Sequence, residues 1–239
     1  MSSLTEVVSP MQFKSSLVAL AATLSFGAAH ALDVVNVGAF TLSYDETSDL
    51  GHVAGWYSAA GWQGFEWTVP AAVQTSLVGG GATQTVFTLP SFTLSANAGW
   101  QLTGDIGGFI GNLVYNLVGA GASVSAEVEG NLSVDGGPAL AVGGLLTQTS
   151  TAGVPGVFEV GYLSGSQTAN VGAFTTLSFT GGLLKLNASG GSFAAITAQP
   201  QNLMKIDVAV AEVPEPASMA LMLAGLGALG SVYRRRTQR

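Results

Sequence analysis

The chain has 239 residues, of which 48% are hydrophobic and only 9% charged, with a formal net charge of -7 and no cysteine. An average soluble domain carries roughly 25% charged residues, and an acidic disordered chain lacks this much apolar material, so disorder is excluded. The negative balance excludes a nucleic-acid binder, and the missing cysteine excludes a disulfide framework, a thiolate metal site and a cysteine nucleophile.

The first element is an export signal. Met11-Gln12-Phe13-Lys14 is a short basic region, Leu17 to Phe26 is apolar, and Ala29-His30-Ala31 is an A-x-A cleavage site. That order predicts a secretory signal helix over residues 1–31, cut after Ala31, too short to cross a bilayer comfortably. The first ten residues hold Glu6 and no base, so Met11 is the expected start of translation.

The segment 32–212 holds two lysines, Lys185 and Lys205, against twelve acids, which leaves it about ten charges negative. Such a surface keeps an apolar domain soluble. Its apolar residues alternate. Val35, Val37 and the run Phe40 to Tyr44 open the series, and Thr83 to Leu89 follows. Val124, Ala126, Val128, Leu132 and Val134 then alternate with Ser125, Glu127, Glu129, Asn131 and Ser133. Phe158, Val160 and Tyr162 stand against Glu159, and Met204, Ile206, Val208 and Val210 against Lys205 and Asp207. Period two predicts strands with one packed face and one wet face. The 33 glycines follow no Gly-X-Y period, so collagen is excluded. They cluster instead at 79–81, 107–108, 136–137, 143–144, 181–182 and 190–191, where turns are expected. Gly104 to Gly121 mixes helical spacing with helix-weakening glycines and reads as strand. The expectation is one all-β domain, an antiparallel β-sandwich of jelly-roll-like form. Asn36 to Thr41 recurs letter for letter as Asn170 to Thr175. Two copies make no solenoid, so the echo reads as two similar strands.

Chemistry is sparse along this segment. His52 is the single histidine after Ala31, and no G-x-S-x-G elbow accompanies any serine, so catalysis is not expected. One histidine without cysteine cannot hold zinc. Asp45, Glu46 and Asp49 crowd one loop, and oxygen ligands suffice for calcium, which makes them a candidate site, though one without an EF-hand pattern. Glu127 and Glu129 share the wet face of one strand rather than a cleft. Trp56, Tyr57, Trp62, Phe65 and Trp67 crowd twelve residues among glycines. Such rings either plug the sandwich core or stack on a sugar, with Trp56, Tyr57, Trp62 and Trp67 as the contact candidates.

The last element is a tail in three parts: Val213-Pro214-Glu215-Pro216, an uncharged apolar run from Ala217 to Tyr233, and Arg234, Arg235, Arg236 and Arg239. The run sits at the short edge of what spans a bilayer as a helix, and the arginines are expected to stay cytoplasmic. Pro214 and Pro216 hold the peptide before the span extended. This order closely resembles the PEP-CTERM sorting signal of exported bacterial proteins. The resemblance covers residues 213–239 and implies processing by exosortase, with delivery to the cell surface or an exopolysaccharide matrix. The expected protein is therefore a non-enzymatic structural or adhesive surface protein, held in the membrane by its C-terminus before processing. A secreted carbohydrate-binding module using Trp56 to Trp67 is the alternative.

Overall fold

Segments whose apolar residues alternate are strands, because alternation lets one face pack while the other meets water. The computed structural model describes residues 32–50, 53–68, 70, 72–151, 156–199, 204–213 and 219–226. In chain order the strands are β1 (Asp33–Asn36), β2 (Phe40–Tyr44), β3 (Val53–Ala59), β4 (Trp62–Trp67) and β5 (Gln74–Val78). They continue with β6 (Ala82–Thr88), β7 (Phe92–Ala96), β8 (Trp100–Val118), β9 (Ser123–Val134) and β10 (Leu140–Thr149). The last are β11 (Phe158–Asn170), β12 (Thr176–Ser189), β13 (Phe193–Ala198) and β14 (Met204–Glu212).

They pair antiparallel in two seven-stranded sheets. The first sheet runs β1-β2-β7-β12-β9-β10, with β6 also on β12; the second runs β3-β4-β14-β8-β13-β5, with β11 also on β8. One long strand organises each sheet. The 19 residues of β8 carry β14 and then β13 along one edge, and β11 along the other. In the first sheet β12 carries β7 and then β6 along one edge, with β9 along the other. The sheets face each other over a shared apolar core. Phe40, Leu94, Leu177 and Leu184 of the first sheet and Phe65, Leu102, Leu113 and Leu117 of the second are fully buried. Phe65 meets Phe92 across the gap edge-on, with ring centroids 5.3 Å apart. The all-β sandwich expected from the alternation is what forms.

Two expectations are corrected. The glycine doublets at 107–108, 143–144 and 181–182 are not hairpin turns but parts of β8, β10 and β12. The expected turns that form are Gly79 to Gly81, Asp135-Gly136-Gly137 and Gly190-Gly191, where Gly79, Gly80, Gly81, Gly136, Gly190 and Gly191 have positive φ, a conformation that side chains resist. The strand glycines are held extended by neighbours filling the room of their missing side chains: Phe179 lies over Gly130 and Gly182, and Tyr115 over Gly161. Secondly, Phe158, Val160 and Tyr162 are exposed, and the packed side of β11 carries Leu163 instead. As the outermost strand on its flank, β11 has only one face and one edge to bury.

The repeated hexapeptide is a corner followed by a plug. Asn36 Oδ1 accepts the Gly38 N–H at 2.9 Å, and Asn170 Oδ1 accepts the Gly172 N–H at 3.1 Å. Both glycines have positive φ, and Phe40 and Phe174 are both buried. The corners flank the end of β7: Phe40 stands opposite Ala96, whose N–H donates to the Thr175 carbonyl on the other side.

Residues 219–226 are helical within the expected span 217–233, and Leu221, Met222 and Leu223 are exposed. No helix among the described residues is long and apolar enough to cross a membrane. The rest of that span and the signal segment 1–31, with Ala29 and Ala31, lie outside the described residues.

Candidate functional site

The sorting motif begins where the body ends. Glu212, last in β14, pairs with Trp100, and the Val213 N–H donates to the Gly99 carbonyl at 2.8 Å. The chain is therefore bound to the body up to Val213, with no spacer before Pro214. Pro214, Glu215, Pro216 and the arginines 234–236 and 239 lie outside the described residues.

The aromatic segment folds as the hairpin β3–β4, and strand alternation divides its rings. Trp56 stands opposite Phe65, on the face that also carries Trp67. Trp67 is 3% exposed and lies 4.8 Å edge-on to Phe65, so it is core. Trp56 is 41% exposed at the sheet margin, 6.4 Å from Phe65. Tyr57 and Trp62 point to the outer face, where Tyr57 covers Gly64 and donates to Asp207. Burial, followed by the Asp207 charge, pushes the Tyr57 phenol well above its ordinary range. Four candidate rings thus lie on two faces of one hairpin.

The carboxylates of the Asp45 loop are engaged separately. Asp45 Oδ1 accepts the Thr47 N–H at 2.9 Å, Glu46 Oε1 accepts the Tyr44 hydroxyl at 3.4 Å, and Asp49 Oδ2 accepts the Thr88 N–H at 2.7 Å. Among the described residues no group of three or more His, Asp or Glu side chains is placed to hold a metal ion. His52 lies outside the described residues. Both lysines of the body are paired on wet faces. Lys185 meets Glu129, with Glu127 at 4.0 Å, and Lys205 meets Glu66 at 3.1 Å and the Tyr57 ring at 5.7 Å.

Sequence reading missed an uncharged outer face on the second sheet. Val78, Phe193, Val118 and Phe158 stand in one register across β5, β13, β8 and β11. The next two rows across the same strands end at Val160 and Tyr162 and contain no Asp, Glu, Lys or Arg. Val78 is 78% exposed and Tyr162 75%. Four strands by five residues make an uncharged face of roughly 300 Å², in which Ser76, Asn116, Gln74 and Thr197 stand among the apolar side chains. Only cross-strand register assembles it, from residues up to 123 positions apart (Gln74 to Thr197).

Residues 212–236 match the family model described as the PEP-CTERM protein-sorting motif. No curated protein matches the chain. Among solved structures the chain is similar to Eiger TNF from S. frugiperda, at 14% identity over 52% of this chain and 68% of that one, with a TM-score of 0.26. It is also similar to the infectious bursal disease virus Gx strain, at 11% identity over 74% of this chain and 43% of that one, with a TM-score of 0.17. At such scores neither likeness bears on this chain's fold or activity.

Proposed function

We propose that this chain, which carries a PEP-CTERM sorting motif at 212–236, is a non-catalytic structural or adhesive protein of the cell surface or extracellular matrix. The motif implies exosortase as the processing partner and supports export to the surface or beyond. The adhesive part of the proposal rests on one observation: the uncharged face of Val78, Phe193, Val118 and Phe158 on a body otherwise about ten charges negative. Acidic surfaces repel one another and acidic polymers, so contact is favoured where charge is missing. The exposed rings of Phe158 and Tyr162 supply the area that such contact needs. The span before the arginines holds the precursor in the membrane until exosortase acts.

Charging the face tests this. Phe158→Glu with Val160→Glu is expected to release the protein from the surface or matrix into the medium, with folding and tail processing unchanged. Retention equal to the parent's would overturn the adhesive role and leave the sorting reading standing. A pull-down on exopolysaccharide then identifies whether the polymer is what the face meets.

A further inference from the structure

Between the sheets, on the flank where β10 and β11 are outermost, lies a cavity of ≈ 300 Å³. Ile110, Val128, Val142, Phe179 and Ile206 line it, and each packs against the core while remaining only partly buried. The cavity opens to solvent on that flank; for scale, an enclosed apolar cavity of about 150 Å³ takes up benzene.

The origin of the space is written in two glycines. Every strand glycine with an ordinary φ, save two, has a neighbouring atom within 3.0 Å of where its Cβ would stand. The two are Gly108 and Gly144, whose nearest atoms would lie 3.8 and 3.5 Å away, and both line the cavity. Gly108 belongs to β8 in the second sheet and Gly144 to β10 in the first. The chain has left one side chain out of each wall. At the other positions a neighbouring side chain or backbone atom occupies the gap, as Leu146 does at Gly165 on the same seam.

We propose that this cavity binds one uncharged apolar molecule of about twelve carbon atoms, twice the benzene case by volume, entering between β10 and β11. Among the described residues no carboxylate lines the cavity, and Lys205, the one basic residue of its described lining, is already paired with Glu66 at 3.1 Å, so the described lining offers no spare charge to an anionic head. The exposed Ser166, Gln167 and Thr168 line it on the solvent side and offer neutral hydrogen bonds to a hydroxyl or ester end. The chemistry is that of a medium hydrocarbon chain, free or carried by a lipid, and the inference is independent of where the protein is sorted.

The test uses the purified full-length chain and N-phenyl-1-naphthylamine, an uncharged probe that fluoresces in apolar surroundings. Saturable emission is expected, displaced by 1-decanol. Displacement by phosphatidylcholine vesicles as well assigns the lipid-borne chain, and displacement by decanol alone assigns the free one. Gly108→Val and Gly144→Leu fill the walls from opposite sides; each is expected to weaken probe binding at least tenfold while melting at or above the parent temperature. Emission that is unsaturable in the parent, or unchanged in both folded variants, would overturn the proposal. Because each wall is filled separately, failure of one variant to fold leaves the other as the test.

Discussion

The ring of Tyr57 lies over Gly64, the residue directly opposite it in the β3–β4 pair. A Cβ at Gly64 would stand 2.5 Å from both the Tyr57 Cζ and the Ile206 carbonyl oxygen. Tyr115 covers Gly161 in the same way across β8 and β11, so the device occurs twice in the second sheet. Ring and glycine together fill the place of two ordinary side chains, which is how a glycine-rich strand still packs.

Gly64→Ala should therefore destabilise the body by about 1–3 kcal/mol, because the added methyl meets fixed backbone as well as a ring. Gly144→Ala, with its nearest atom at 3.5 Å, should be neutral or stabilising by about 0.4–1 kcal/mol through the unfolded chain's lost freedom. Urea midpoints of the two variants measure the contrast. Equal effects would mean that the covering ring does not dictate where glycine is required.

Asn97 ties the first hexapeptide corner together. Its Nδ2 donates to Asn36 Oδ1 at 3.0 Å and to the Gly38 carbonyl at 2.7 Å, and its Oδ1 accepts from the Thr41 hydroxyl at 2.7 Å. A net hydrogen bond is worth about 1 kcal/mol, and an unpaired partner costs more. Asn97→Ala should thus lose about 2 kcal/mol, and Asn170→Ala a similar amount, since its Oδ1 accepts the Gly172 N–H and its Nδ2 donates to the Asp105 carboxylate. Denaturant titration of both variants measures the losses, and a loss well under about 1 kcal/mol for Asn97→Ala would refute the role given to Asn97.

Much of this was legible in the chain. Alternation at Val124 to Val134 predicts β9 with its inward and outward faces in the right sense, and Met204 to Val210 does so for β14. Local pattern fails where the answer depends on a distant strand. Phe158, Val160 and Tyr162 alternate as a packed face would, yet nothing covers that side of β11 among the described residues. The strand glycines mislead for the same reason, since the ring over Gly130 belongs to Phe179, 49 positions later in the sequence. The aromatic hairpin was visible as a cluster, but only register shows that Trp67 is core while Tyr57 faces outward. The sorting tail needed no fold to be read, because order and spacing along the chain carry it.

Acid should weaken the body through two aspartates. Hydrogen bonds from the Thr88 N–H and then its hydroxyl hold Asp49 below the usual carboxylate range. The Thr175 hydroxyl, then the Thr176 and Thr175 N–H groups, do so for Asp135. An unfolded aspartate titrates near about 3.9. Between the folded and unfolded values the unfolded chain binds more protons, so these contributions are present above the unfolded value and vanish as pH falls through the folded ones. Asp49→Asn and Asp135→Asn should each flatten the decline of melting temperature below about pH 4. An unchanged slope in the double variant would remove both groups from the account.

The last prediction separates sorting from adhesion. Proline lacks an N–H and disfavours helix in the residue before it, so Pro214 and Pro216 oppose helix at Val213 and Glu215, between the body, bound as far as Val213, and the helix at 219–226. With Pro214→Ala and Pro216→Ala the helix is free to grow back toward the body, and alanine favours it by roughly 3 kcal/mol per position over proline. The precursor should then accumulate several-fold in cells with the tail still attached, as an immunoblot against a C-terminal epitope would record. Phe158→Glu, which leaves the tail untouched, should be processed at the parent's rate. If both variants are processed alike, extended backbone at the motif is not what exosortase requires, and the body's closeness to the membrane must be tested instead by a spacer after Val213.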